Sequence, residues 1–213
     1  VKLIPGNNSF TVNIPEVKTQ TKYLVKIKIG DDQEIEMPVL VKPIKEWMIY
    51  FVQHTHTDIG YTRPQTEILP EHLRYIDYAL DFCDLTDNYP ENSKFRWTCE
   101  ASWAVREYLK SRPPEQIEKL RKRVNEGRIE ITGMFFNMSE LLDETSLAAQ
   151  LQPIRDFREA GLNVKTAMQN DVNGIGWALA DYFSDIGIKY LIMGEHDHRA
   201  LLPFDKPTAF WWE

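Results

Sequence analysis

Apolar and polar positions along the chain change rhythm near residue 46. Before it, alternation dominates. Ser9 to Ile14 alternates, and Tyr23 to Ile29 sets Tyr23, Val25, Ile27 and Ile29 on one face against Leu24, Lys26 and Lys28 on the other. Period two is the mark of a half-buried strand. Gly30-Asp31-Asp32 is a turn signal, and Glu34 to Val41 returns as a second arm. Pro38 cannot donate to a ladder, so that arm is an edge strand. Three strands without a helix predict that residues 1–46 are the end of an upstream β-sandwich or a small β module.

From residue 47 onward the pattern is that of alternating strands and helices. Trp47 to Val52 is a near-continuous apolar run, expected for a strand buried on both faces of a parallel sheet. Leu69, Leu73, Ile76, Leu80 and Cys83 then recur at helical spacing, with Pro70 expected in the first turn and His72 on the surface. Phe95 to Thr98 predicts a second strand, Ser102 to Lys110 and Pro114 to Glu126 two helices, and Arg128 to Thr132 a third strand. Asp143 caps a helix running to about Ala160, which Pro153 is expected to kink or split. Val164 to Gln169 is a fourth strand, a helix opens at Asn173 or Gly174, and Lys189 to Met193 is a fifth strand. Such alternation predicts an α/β fold with a parallel sheet. In these sheets the loops at the C-terminal strand ends carry the chemistry.

Two of those loops are rich in ligand-type side chains. After the first strand come His54, His56 and Asp58, three residues at period two, which lets them share one side of an extended chain. Imidazole nitrogen and carboxylate oxygen suit zinc. A polar loop with His54 bonded to backbone is the alternative, but the period-two set directly after an apolar strand favours the metal. After the fourth strand, Asp171 precedes a helix. An N-cap role, worth about 1 kcal/mol, is the plainer account. Asn173 lies closer to the helix start and leaves Asp171 free to face the same pocket.

Composition narrows the partners. The 213 residues carry 25 Lys+Arg against 32 Asp+Glu, a net charge of -7. Residues 47–213 hold -8 and residues 1–46 hold +1. The basic cluster Arg121-Lys122-Arg123 sits inside a charged amphipathic stretch and reads as a solvated helix face. That balance excludes nucleic acid and favours a neutral or cationic substrate. The longest apolar run is far short of a membrane span, and no leader pattern precedes it. The start at Val1 reads as processed or as an expression boundary, which leaves the compartment open. Cys83 and Cys99 do not define a redox compartment.

The pairing of His56-Thr-Asp58-Ile-Gly60-Tyr61 with a later Asp171-Val-Asn-Gly174 resembles glycoside hydrolase family 38, the zinc-dependent α-mannosidases. Between the two motifs, Glu130-Ile-Thr-Gly133, Ser139-Glu140, Gln150 and Gly161 are similar to the family as well. The resemblance spans about Trp47 to Gly194. It implies the N-terminal part of a β/α-barrel catalytic domain, of the seven-stranded type, over residues 47–213. It implies one zinc ion held by His56, Asp58 and Asp171, with Asp171 also the nucleophile of a retaining reaction on terminal α-mannosides. Tyr61 takes the place of the family's Trp as an aromatic platform for the sugar. His54 lies beside the motif and supports the ligands without binding the ion. The motif's usual aromatic and imidazole neighbours are replaced here by Asn173 and Ile175. A fourth ligand and the acid/base carboxylate have no matching position, so both are expected beyond Glu213. His196, Asp197 and His198 read as a polar loop. The chain is therefore expected to be a fragment that binds zinc weakly and does not turn over alone.

Two other classes compete. His54-x-His56 at a first strand end also resembles the amidohydrolases, which bind metal through both histidines, but the later chain supplies few further histidines. A non-catalytic carbohydrate-binding role for the β segment is the second. A zinc polysaccharide deacetylase is disfavoured because its Asp-Asp pair and His-x-x-x-His are absent.

Overall fold

The computed structural model describes residues 4–31, 33–138, 141–196, 204–206 and 208–212. They divide into two compact units, Val1–Tyr50 and Phe51–Glu213. In the first, β1 (Thr21–Ile29) and β2 (Gln33–Val41) form an antiparallel pair in the register Thr21 to Val41 through Ile29 to Gln33. Pro38 pairs with Leu24, tolerable because each strand of a two-stranded sheet keeps one free edge. Val17 is the one buried side chain among the described residues of this unit. Ser9 to Ile14 is not a strand, contrary to its alternation. Alternation without a neighbouring strand leaves the backbone groups to water, and no ladder forms.

The second unit is mixed α/β. Its elements are α1 (Gln65–Leu85), β3 (Trp97–Cys99), α2 (Ser102–Ser111), α3 (Pro114–Asn125), β4 (Ile129–Ile131), α4 (Glu144–Glu159), β5 (Thr166–Val172), α5 (Ala178–Ile186) and β6 (Tyr190–Glu195). The strands pair in parallel, β3 with β4 and β5 with β6. Isolated parallel bridges, His54 to Thr98 and Thr132 to Thr166, join the pairs into one run: the His54 segment, β3, β4, β5, β6. All their C-terminal ends therefore point the same way, which is what brings distant loops into one place.

Helix positions follow the apolar stripe. α1 buries Ile68, His72, Leu73, Ile76, Ala79, Leu80 and Cys83. His72 is thus buried rather than on the surface, because it stands four residues from both Ile68 and Ile76 on the apolar face. α1 begins at Gln65, so Pro70 lies inside the helix rather than in its first turn. α4 runs unbroken through the buried Pro153, since loss of one hydrogen bond is tolerated where the side chain packs. Asp143 caps α4 by accepting from Ser146 N at 2.8 Å. α5 starts at Ala178, later than expected, because Val172 still belongs to β5 and residues 173–177 form the turn.

Leu80, Cys83, Val105, Tyr108, Leu120, Ile131 and Phe157 are central to one core. Each such aliphatic or aromatic side chain contributes about 1.5–3 kcal/mol by leaving water. Arg123 and Arg128 are buried within it and paired: Arg123 with Asp84, Asp87 and Glu126, Arg128 with Asp87 and the Phe95 carbonyl. The Arg121-Lys122-Arg123 cluster is therefore not wholly a solvated face. Trp47 to Val52 departs furthest from expectation: it is no strand, and its side chains are 56% to 81% exposed. Pairing with the three-residue β3 begins only after this run, with Thr98 N donating to Gln53 O at 2.8 Å.

Candidate metal and catalytic site

The site grows from the C-terminal ends of the parallel strands. The segment after the first bridge carries His54, His56 and Asp58. Glu100 directly follows β3, Asn137 lies beyond β4, and Asn170 and Asp171 close β5.

Glu100 is the centre of this polar cluster. Its side chain is fully buried. One oxygen faces His54 Nδ1 at 2.7 Å, and the other faces His56 Nδ1 at 2.9 Å. The second oxygen also accepts from Asn137 Nδ2 and, at 3.4 Å, from the Thr57 amide. Burial is the largest single influence on Glu100 and opposes its charge. Hydrogen bonds from His56, Asn137 and Asn170, with the His56 charge, outweigh it and hold the carboxyl down at about 2. The same contact acts on His56. Its hydrogen bond to Glu100 is the main reason its pKa rises to about 9; burial opposes this, and the charges of Glu100, Asp58 and Asp171 add to it.

With Nδ1 held by Glu100, His56 turns Nε2 toward two carboxylates: Asp58 Oδ1 at 3.3 Å and Asp171 Oδ2 at 3.6 Å. One donor atom from each of His56, Asp58 and Asp171 lies within 4.8 Å of the others. Ligands about 2.0–2.1 Å from a tetrahedral ion stand about 3.3 Å apart, so the two separations from His56 fit a small divalent cation. One imidazole nitrogen and two carboxylate oxygens also suit zinc.

Asp171 reaches this place through an irregular backbone. β5 and β6 change register between Asn170 and Val172, so Asp171 has no partner across the pair. It has φ of +55°, the one described non-glycine residue with positive φ. A bulge re-aims a side chain, and Asp tolerates the left-handed region better than most residues. Gly174, at φ +122°, lets the following turn pass Glu195; a Cβ there would lie 3.1 Å from the Glu195 carboxylate. Gly133 serves close packing under β4, since a Cβ would fall 2.9 Å from Ile154.

Of the residues singled out by sequence, His56, Asp58 and Asp171 converge. His54 stands outside their cluster, on the opposite oxygen of Glu100. Tyr61 follows Gly60 in the adjoining turn and is 77% exposed. Asp197, His198, Ser139 and Glu140 lie outside the described residues. Glu100 and Asn137 went unnoticed in the sequence. The signal for Glu100 was present, an acid at a strand's C-terminal end, but its dependence on two histidines some 45 residues earlier is not local.

The profile of the glycosyl hydrolases family 38 N-terminal domain matches residues 46–213. The chain belongs to glycosyl hydrolase family 38. No curated protein matches it. Among solved structures, an α-mannosidase from Enterococcus faecalis V583 is similar at 20% identity and a TM-score of 0.55, over 67% of this chain and 16% of that one. A family 38 protein from Enterococcus faecalis is similar at 21% identity and a TM-score of 0.50, over 63% of this chain and 15% of that one. These structures agree with the mixed α/β fold. The chain spans about a sixth of the length of the first of them. The matched family is one of glycosyl hydrolases. No helix of the described residues is long and apolar enough to cross a membrane.

Proposed function

We propose that this chain supplies the nucleophile and three metal ligands of a retaining, zinc-assisted glycosidase that cleaves terminal α-mannosides. The observation that carries this is the meeting of His56 Nε2, Asp58 Oδ1 and Asp171 Oδ2 at parallel strand ends, in a chain of family 38. The parallel run is then part of a seven-stranded β/α barrel over residues 47–213, and residues 1–46 are the end of a β-sandwich. His54 is not among the residues whose donor atoms converge, which favours this arrangement over an amidohydrolase centre needing both histidines.

His56, Asp58 and Asp171 would hold the zinc ion. When bound, zinc supplies positive charge that orients sugar hydroxyls and favours ring distortion. Asp171 attacks the anomeric carbon as its bond to the leaving oxygen breaks, giving a glycosyl ester on Asp171. A second carboxylic acid protonates the leaving oxygen and then, as carboxylate, takes a proton from the water that hydrolyses the ester with net retention. Tyr61 offers its ring face to the apolar side of the sugar.

The test is Asp171→Ala in the complete enzyme with an aryl α-mannoside. Turnover is expected to fall by about 10³-fold or more. Activity near the wild-type level would remove Asp171 from the reaction.

A further inference from the structure

Taking His56, Asp58 and Asp171 as the metal ligands, we propose that Glu100 is the positioning residue that holds together the two loops that carry them. It fixes the His56 ring directly and Asp171 through Asn137. The inference rests on the metal reading above.

The ring comes first. An ionised carboxylate only accepts hydrogen bonds, so both imidazoles facing Glu100 present Nδ1–H to it. That leaves Nε2 of His56 as the ring nitrogen aimed at Asp58 and Asp171. A carboxylate behind a metal-binding histidine sets its tautomer and strengthens its basicity. Glu100 is fully buried and cannot swing away into water.

The second link runs to the nucleophile's strand. Asn137 donates through Nδ2 to Glu100, and its Oδ1 accepts from the Asn170 amide at 3.1 Å. Asn170 immediately precedes the bulged Asp171. Gln169 grips the same loop on both sides of Asn137, donating to Phe136 O at 2.8 Å and accepting from Met138 N at 3.1 Å. Ligands from two strand ends far apart in sequence are thus referred to one buried carboxylate. The Thr57 amide, between two of the ligands, bonds to it as well.

The variant Glu100→Gln decides the matter because it keeps the shape and removes one acceptor. An amide has one oxygen and one NH2 group, so it cannot accept from two Nδ1–H groups. Two readouts apply: zinc affinity by competition with a chromophoric chelator, and two-bond ¹⁵N–¹H spectra of the metal-free protein above the imidazole titration range. In the wild type both imidazoles are expected as Nδ1–H. In Glu100→Gln one of them is expected to switch to Nε2–H, with zinc bound about 10–100-fold more weakly and the circular dichroism spectrum unchanged. Zinc affinity equal to wild type in the folded variant would overturn the role of Glu100 alone. No zinc uptake by the wild type would overturn the metal reading with it. If Glu100→Gln does not fold, the wild-type spectrum decides, and either imidazole found as Nε2–H counts against the proposal.

Discussion

The two units obey the same rule of alternation with opposite results. In residues 21–41, alternation produced a well-registered ladder and almost no interior. Leu24, Ile27, Ile35, Met37 and Leu40 all remain exposed. In residues 51–213, strands of three residues sit inside a dense core because helices cover them. Ladder length is therefore a poor guide to stability. A two-stranded hairpin is marginal alone, and what separates the units is covered apolar area.

Core truncation tests this contrast most severely. Ile131 is fully buried beneath the helices, so Ile131→Ala is expected to cost about 2–5 kcal/mol in urea unfolding. A cost below about 1 kcal/mol would mean that β4 does not anchor the second unit.

Zinc is expected to act on that unit alone. At a free concentration of 100 times Kd, it stabilises by about 2.7 kcal/mol. Calorimetry should show the gain there, and hydrogen exchange of β1 and β2 should not change. The pH dependence has a defined sign. The His56 pKa of about 9 means that metal uptake displaces a proton below that pH. Affinity should rise with pH up to about 9 and then level off. An affinity flat with pH would remove His56 from the ligands.

Asp87 probes the acid side of the same unit. Its hydrogen bond from Arg123 is the main cause of a pKa near 2, below the ordinary 3.8, with burial opposing and Arg128 adding. A lowered carboxyl contributes stability that is present above 3.8 and lost as pH falls through 2. Asp87→Asn should flatten the loss of stability over that window, read from urea midpoints. An unchanged slope would mean that Asp84 and Glu126 alone hold Arg123.

The smallest effect is expected in the hairpin. Ile27 is 44% exposed, so Ile27→Ala should cost less than about 1 kcal/mol. A cost like that of Ile131→Ala would show that the exposed face of β1 is covered in solution, and the contrast between the units would fail.

Helical spacing was readable where the apolar stripe was long. The Leu69 to Cys83 repeat located α1, and Asp143 and Gly187 marked the start of α4 and the end of α5. Short strands were harder. Ser9 to Ile14 and Trp47 to Val52 have strand-like patterns, yet neither has a ladder partner along its length among the described residues. His72 shows the converse: its burial followed from i, i+4 spacing, but residue type argued for the surface.

From its own order, the chain determined which ligand-type residues stand at strand ends: His54, His56 and Asp58 at one, Asp171 at another. Side-chain periodicity and turn chemistry are local, so they survive in the sequence. Tertiary structure decided the rest. The parallel order brought those ends together, a register shift left Asp171 unpaired at positive φ, and a buried Glu100 chose which face of His56 would look outward. Each depends on hydrogen bonds between residues some 23 to 45 positions apart. Such bonds form only after the core has paid the entropy of bringing the loops together, and no window of sequence contains both partners.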